Sequence, residues 1–320
     1  MIRTLLSIIL VGSFLLPKLE AQTPESYIVL ERHSRKVLLA SGSEYRRPIA
    51  GLAHMATAKV ALDWAKAAGV SSATMIAVPN HSYYSGVDNP LSLQAGDQLS
   101  IRDALYATIL GQDSVAATSL AHHVGGQLLQ RRQLSGDPIA VFVNEMNNLG
   151  RSLGMNSTRF TLPSGADTQK RSNYSTASDI ARLSVALSTD TAYGFYAKQK
   201  QRSLRVVKRD GRTAQLTVIN SNKLLSSKLK ISGLKAGYSP MAAQCASVLA
   251  NRHAYVEKLA DGGERVTPVQ LIVVVLGSAD SAAFVEHVIP QGWSHYEAWR
   301  NGGYMATPDR REFLKLPQAQ

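Results

Sequence analysis

Apolar positions change their period along the chain, and the changes mark elements. Residues 26–30 and 36–40 are short apolar runs on either side of a polar turn, which predicts a β-hairpin. An alanine-rich stretch with helical spacing follows Pro48 and reaches Gly69. Ser100-Ile-Arg-Asp103 sets a hydroxyl and an acid three residues apart ahead of Leu105, Ile109 and Leu110, the capping pattern of another helix. Further helices are expected from Ser114 to a stop at Gly125-Gly126, over 139–153, and from a Thr176-Ala-Ser-Asp179 cap through Leu187. The pattern then turns to strands at 203–207, 215–219, 243–250 and 271–276, and a helix over 282–299 closes it. Strands at both ends with helices between imply one sheet whose edges join late, with the helical middle as an insert beside it. Residues 301–320, with Pro308, Pro317 and several charges, are expected to form a loose tail.

Ahead of the hairpin, Met1-Ile2-Arg3 gives a positive start, residues 5–16 are apolar up to Pro17, and Ala21 offers a small residue for cleavage. This is the pattern of a secretory signal peptide over 1–21. Its apolar run is shorter than the roughly 20 residues of a spanning helix, and no Cys stands near the cleavage point. The expectation is an exported domain over 22–300, in the periplasm or outside the cell, with no transmembrane anchor after cleavage. At 320 residues and 45% hydrophobic, the chain can bury one large core or two modest ones. A net charge of +12 suits a polyanionic partner or a merely basic surface. Lys and Arg are scattered, with only short pairs such as Arg46-Arg47 and Arg131-Arg132, so no nucleic-acid module is expected. The single Cys245, in a strand-like run, excludes an internal disulfide. His122 and His123 are adjacent, face different ways on a helix, and suit its C-terminus. With no Cys-x-x-Cys and no glycine-rich phosphate loop, neither metal nor cofactor is expected.

Several stretches in one order carry a more specific signal. They are Pro48-Ile-Ala-Gly-Leu-Ala-His-Met55, the run from Leu93 to Leu105, Leu149-Gly-Arg-Ser-Leu-Gly-Met155, Leu162-Pro-Ser-Gly165, Tyr174-Ser-Thr-Ala-Ser-Asp179, Asn220-Ser-Asn-Lys-Leu224 and Gly233-Leu-Lys-Ala-Gly-Tyr238. Together they resemble the low-molecular-mass penicillin-binding proteins, the serine-type D-alanyl-D-alanine carboxypeptidases and endopeptidases, over nearly the whole mature chain. The resemblance implies an α/β (α+β) fold of the β-lactamase/transpeptidase type, an antiparallel sheet flanked by helices with an all-helical insert.

The chemistry departs from that pattern at each of three motifs. Where the family has a nucleophilic Ser at a helix mouth and a Lys one turn later to take its proton, this chain has Gly51 and His54. Glycine offers no nucleophile, so His54 has nothing to activate; Gly51 is expected as a helix N-cap and His54 as a packed core residue. The family's Ser-x-Asn matches Gln112-Asp113-Ser114, where Gln112 is a poor proton shuttle and Ser114 too short for an amide's role; Ser114 reads as a helix N-cap. The family's Lys-Thr-Gly appears as Lys235-Ala236-Gly237, which keeps the cation and the open strand but not the hydroxyl that helps hold a substrate carboxylate. Ser227 and Ser232 each begin a Ser-x-x-Lys pattern, but beside a strand start. Ser114 with Lys235 is the only pair the family geometry would place in one cleft. Two functions follow. One is a catalytically inactive relative that binds peptidoglycan stem peptides or a cell-wall enzyme through Lys235, Ala236 and Gly237. The alternative is an active serine-type peptide hydrolase with relocated groups.

Overall fold

The first two apolar runs pair as an antiparallel hairpin, β1 (Ser26–Glu31) and β2 (Val37–Ser41). Its turn is closed by Glu31, whose carboxylate accepts from the backbone N–H groups of His33 and Ser34 and from the Ser34 hydroxyl. The structure, a computed structural model, describes residues 26–84, 87–167, 171–305 and 312–317. The expected signal peptide lies outside the described residues. After β3 (Arg47–Pro48) the chain enters α1 (Ala53–Ala68) through a single 3-10 turn, Ala50–Leu52. β4 (Met75–Ala77) and β5 (Gln98–Ser100) precede α2 (Ile101–Ile109), which starts where the sequence places it, with the Asp103 N–H donating to Ser100 Oγ. α3 (Ser114–Arg131) and α4 (Pro138–Ser152) follow, then β6 (Tyr174–Ser175), which pairs with β3, and α5 (Ala177–Thr189), capped by Thr176. α6 (Thr191–Ala197), β7 (Gln201–Val207), β8 (Thr213–Ile219), β9 (Lys235–Ser239), β10 (Ala243–Lys258), β11 (Glu264–Ser278) and α7 (Ser281–Asn301) complete the order.

The main sheet is antiparallel, in the order β2-β1-β11-β10-β9, with β9 on its edge. Its central run, Leu-Ile-Val-Val-Val-Leu at 271–276, is apolar without alternation because both faces are covered. Ile272, Val274 and Leu276 face the core built with α1 and α5, whereas Leu271, Val273 and Val275 face Phe284, Val285, Val288 and Trp293 of α7.

Four sequence expectations are corrected here. The strands at 203–207 and 215–219 do not join the main sheet; β7 and β8 form a second sheet, β4-β5-β7-β8, beside the helices. The reason is visible in β7, where Leu204 and Val206 are buried but Gln201, Arg202, Ser203 and Arg205 are exposed, so only one face has a core to enter. The helical insert therefore carries a small sheet of its own. β10 and β11 run well past 250 and before 271 as a two-stranded ribbon, with Val256 paired to Val266, because backbone pairing continues where burial ends. Of the expected loose tail, residues 312–317 lie against the hairpin: the Val37 N–H donates to the Glu312 carbonyl, the Leu314 N–H to that of Arg35, and Lys36 and Glu312 form an ion pair.

The fourth correction is the helix stop at Gly125-Gly126. α3 passes through both glycines to Arg131, so His122 and His123 stand mid-helix rather than at its end, edge-on to Tyr83 and Trp64. Gly125 is there for close approach: a Cβ at this position would lie 1.9 Å from the Pro138 carbonyl oxygen at the start of α4. A Cβ at Gly126 would meet nothing within 4 Å. Gly125→Ala is expected to lower stability by about 3 kcal/mol through backbone displacement, and Gly126→Ala to raise it by about 0.5–1 kcal/mol through helix propensity. Urea denaturation of both variants distinguishes this from a helix stop, for which the two changes would have similar effects.

Candidate functional site

The 3-10 turn that carries Gly51 enters α1, so Gly51 is not the helix N-cap; that position is Leu52, which has no side-chain cap. Ala50 takes a left-handed φ of 44°, a strained conformation that turns the Gly51 backbone toward β9. A Cβ on Gly51 would lie 2.7 Å from Gln112 Oε1 and 3.2 Å from the Gly237 Cα. A Cβ on either Gly165 or Gly237 would in turn lie 2.6 Å from the Gly51 N. Three glycines, from the turn, the 162–165 stretch and β9, thus meet backbone to backbone. The Gln112 amide stands where a side chain at 51 would begin.

His54 is the second residue of α1, three positions after Gly51, and is sealed from solvent. Its Nε2 accepts from the Gly165 backbone N–H at 3.1 Å, which places the ring proton on Nδ1. Nδ1 makes no full hydrogen bond, only a weak polar contact with the Thr108 backbone. Burial, helped by the nearby charge of Lys235, lowers the His54 pKa to about 3, so the ring is neutral and its lone pair is already engaged.

Gln112 occupies the tight turn between α2 and α3 with a left-handed φ of 56°. The cap of α3 is Asp113, not Ser114: Asp113 Oδ1 accepts from the Ala116 N–H at 2.8 Å, while Oδ2 accepts from the Leu91 N–H at 3.1 Å. Burial raises the Asp113 carboxyl to about 6 against these hydrogen bonds. Ser114 is the first helical residue, buried, with its N–H donating to the Asp88 carbonyl.

Lys235, the first residue of β9, is 1% exposed. Its Nζ donates to the Ala236 carbonyl at 2.9 Å and to Ser221 Oγ at 3.3 Å. Among the described residues no carboxylate forms an ion pair with it, and burial pulls its pKa down to about 7. The hydroxyl on this amine is therefore that of Ser221 rather than Ser114. Ser221 is the residue that sequence reasoning misses. The Asn220-Ser-Asn222 stretch signals a fixed turn, but nothing local says that it faces Lys235. Ala236 and Gly237 pair with Ala246 and Cys245 of β10 on one side, and with Gln112, Ser221 and Tyr238 they border an open cleft of about 360 Å³. Gly51, His54, Gln112, Lys235 and Gly237 are thus brought together, a buried amine and a neutral imidazole around a backbone contact with no nucleophile at its centre.

Residues 16–255 match the family described as D-alanyl-D-alanine carboxypeptidase. A D-alanyl-D-alanine endopeptidase of Pseudomonas aeruginosa is 31% identical over 53% of this chain and 49% of its own length. A D-alanyl-D-alanine endopeptidase of Escherichia coli is 29% identical over 50% of this chain and 46% of its own. The carboxypeptidase DacA of Escherichia coli is 27% identical over 71% of this chain and 52% of its own. The chain spans about half the length of these curated relatives. Among solved structures, the Streptomyces K15 DD-transpeptidase superposes with a TM-score of 0.66 at 23% identity, covering 88% of this chain and 97% of that one. Penicillin-binding protein D2 of Listeria monocytogenes, in its cefotaxime-bound form, superposes with a TM-score of 0.61 at 22% identity, with the same coverage. The fold is shared with both.

Proposed function

The chain belongs to the D-alanyl-D-alanine carboxypeptidase family, and we propose that this member keeps the family's cleft for binding and has lost its acyl-transfer chemistry. The observation that carries the reading is the centre of the site. Gly51 has no side chain, Gln112 fills the space one would need, and His54 is neutral with its lone pair engaged. An acyl-enzyme cannot begin without a nucleophile. What the site retains is a cation, Lys235, enclosed behind the cleft, and the backbone of an edge strand, both suited to an extended peptide that ends in a carboxylate. The ligand proposed is the D-alanyl-D-alanine end of a peptidoglycan stem peptide, and the setting an exported one, from the charged start and apolar run of 1–21. An intact mass that begins at Met1, found in a membrane fraction of the native host, would overturn a cleaved leader.

Titration of an acetylated tripeptide ending in D-alanyl-D-alanine, followed by NMR, tests the binding. The expected affinity is millimolar or somewhat tighter, weakening with added salt. It is strongest below pH 7, where Lys235 is charged, and falls as pH rises toward 9 and the amine deprotonates. Affinity independent of pH over that range, or absence of binding at millimolar peptide, would leave a partner-enzyme surface as the function instead.

A further inference from the structure

We propose that Ser221 is a specificity-determining residue of this cleft, supplying from the 220–222 turn the carboxylate-binding hydroxyl that Ala236 does not have. The inference rests on the binding reading above and names the group that receives the peptide's terminal carboxylate. Lys235 is enclosed, so its ammonium cannot be reached directly from the cleft. Ser221 is half-buried, borders the cleft, and lies between that ammonium and the opening. Its Oγ accepts from Lys235 Nζ, and its own proton makes only a long contact, 3.4 Å, with the Ala236 carbonyl. That proton is free to turn outward. A carboxylate in the cleft would then accept from the Ser221 hydroxyl while Lys235 polarises the same oxygen from behind, and the two hydrogen bonds in series strengthen each other.

The turn is built to hold the hydroxyl still. The Ser221 N–H donates to the Leu110 carbonyl at 2.9 Å. Asn220 Nδ2 donates to the carbonyls of Ala197 at 3.1 Å and Gln199 at 2.9 Å. Asn222 Oδ1 accepts from the Leu224 N–H at 3.1 Å. Each neighbour of Ser221 is thus fixed by its own amide, and little freedom is left for a ligand to freeze out. Asp280, the acidic residue bordering the cleft, faces away in function: its carboxylate accepts from the Ala282 and Ala283 N–H groups at the start of α7.

The test compares the tripeptide acid with its C-terminal amide on the wild type, Ser221→Ala and Ser221→Ala/Ala236→Thr. The acid should bind the wild type about tenfold more tightly than the amide. Ser221→Ala should remove most of that preference, lowering acid affinity more than amide affinity, with some loss of melting temperature because the enclosed Lys235 amine loses a partner, and Ala236→Thr added to it should restore the preference. If Ser221→Ala weakens acid and amide equally, or changes neither, Ser221 is not the carboxylate receptor, although the cleft still binds. If the wild type binds neither peptide, the binding reading fails and takes this inference with it.

Discussion

Purified protein exposed to a fluorescent penicillin should carry no covalent label, and a stem peptide incubated with it should release no D-alanine. Loss of the nucleophile alone removes on the order of 10⁶-fold in kcat from a serine hydrolase, and here more than the nucleophile is missing. Gly51→Ser should fail as well. Its Cβ would meet Gln112 Oε1 at 2.7 Å and must push that amide aside before any hydroxyl can be placed. The base one turn on would be His54, whose Nε2 is held by the Gly165 N–H and whose burial keeps it from binding a proton above about pH 3. The hydroxyl at 236 would still be absent. Gel fluorescence after incubation near neutral pH, with a known penicillin-binding protein alongside, gives the answer. A labelled band that disappears in Ser114→Ala or Ser221→Ala would install the active-hydrolase alternative and identify its nucleophile.

What could be read from the sequence was what local spacing controls. The hairpin, the Ser100 and Thr176 caps and the terminal helix follow from residues within a few positions of one another, and they stand where the pattern places them. Gly125 failed as a helix stop because its reason is Pro138, thirteen residues away, and a glycine required for close approach looks locally like a glycine that ends a helix. Asp113 and Ser114 are both good caps. Only the extended backbone of Asp113, with φ −72° and ψ 109°, decides between them. β7 and β8 were legible as strands but not as members of a second sheet, since β5, the strand on the other side of β7, is three residues long and lies about a hundred positions earlier. The site divides the same way. That position 51 lacks a nucleophile is written in the sequence. That Gln112 fills its space, that Gly165 engages His54 and that Ser221 sits on Lys235 are contacts made across the fold.

Lys235→Met should give a protein that is more stable at pH 6 and no longer binds the carboxylate peptide. The wild type encloses an amine whose partners are a carbonyl and a hydroxyl, both neutral. A fall in its pKa from 10.5 to about 7, at about 1.4 kcal/mol for each tenfold change in proton affinity, puts the penalty for keeping the charged form at several kcal/mol. Methionine removes that penalty and fills most of the volume, against the loss of two hydrogen bonds, so a net gain of about 2 kcal/mol is expected at pH 6. The gain should depend on pH in one direction. Below about 7 both folded and unfolded chains hold the proton and the penalty is full. Between about 7 and 10.5 the unfolded chain holds a proton that the folded chain has released, so wild-type stability rises with pH by more than the gain at pH 6, and the advantage of methionine passes through zero and is reversed by pH 10. Among the described residues, His54 is the one strongly shifted group that feels the Lys235 charge, and it titrates far below this window, so other groups largely cancel in the difference. Urea denaturation of both proteins at pH 6, 8 and 10 measures it; a variant less stable at pH 6, or a difference that does not change with pH, would show that the amine carries no such penalty. A charge enclosed without a counter-charge weakens the fold that holds it, and an anion brought by the proposed ligand would offset that cost.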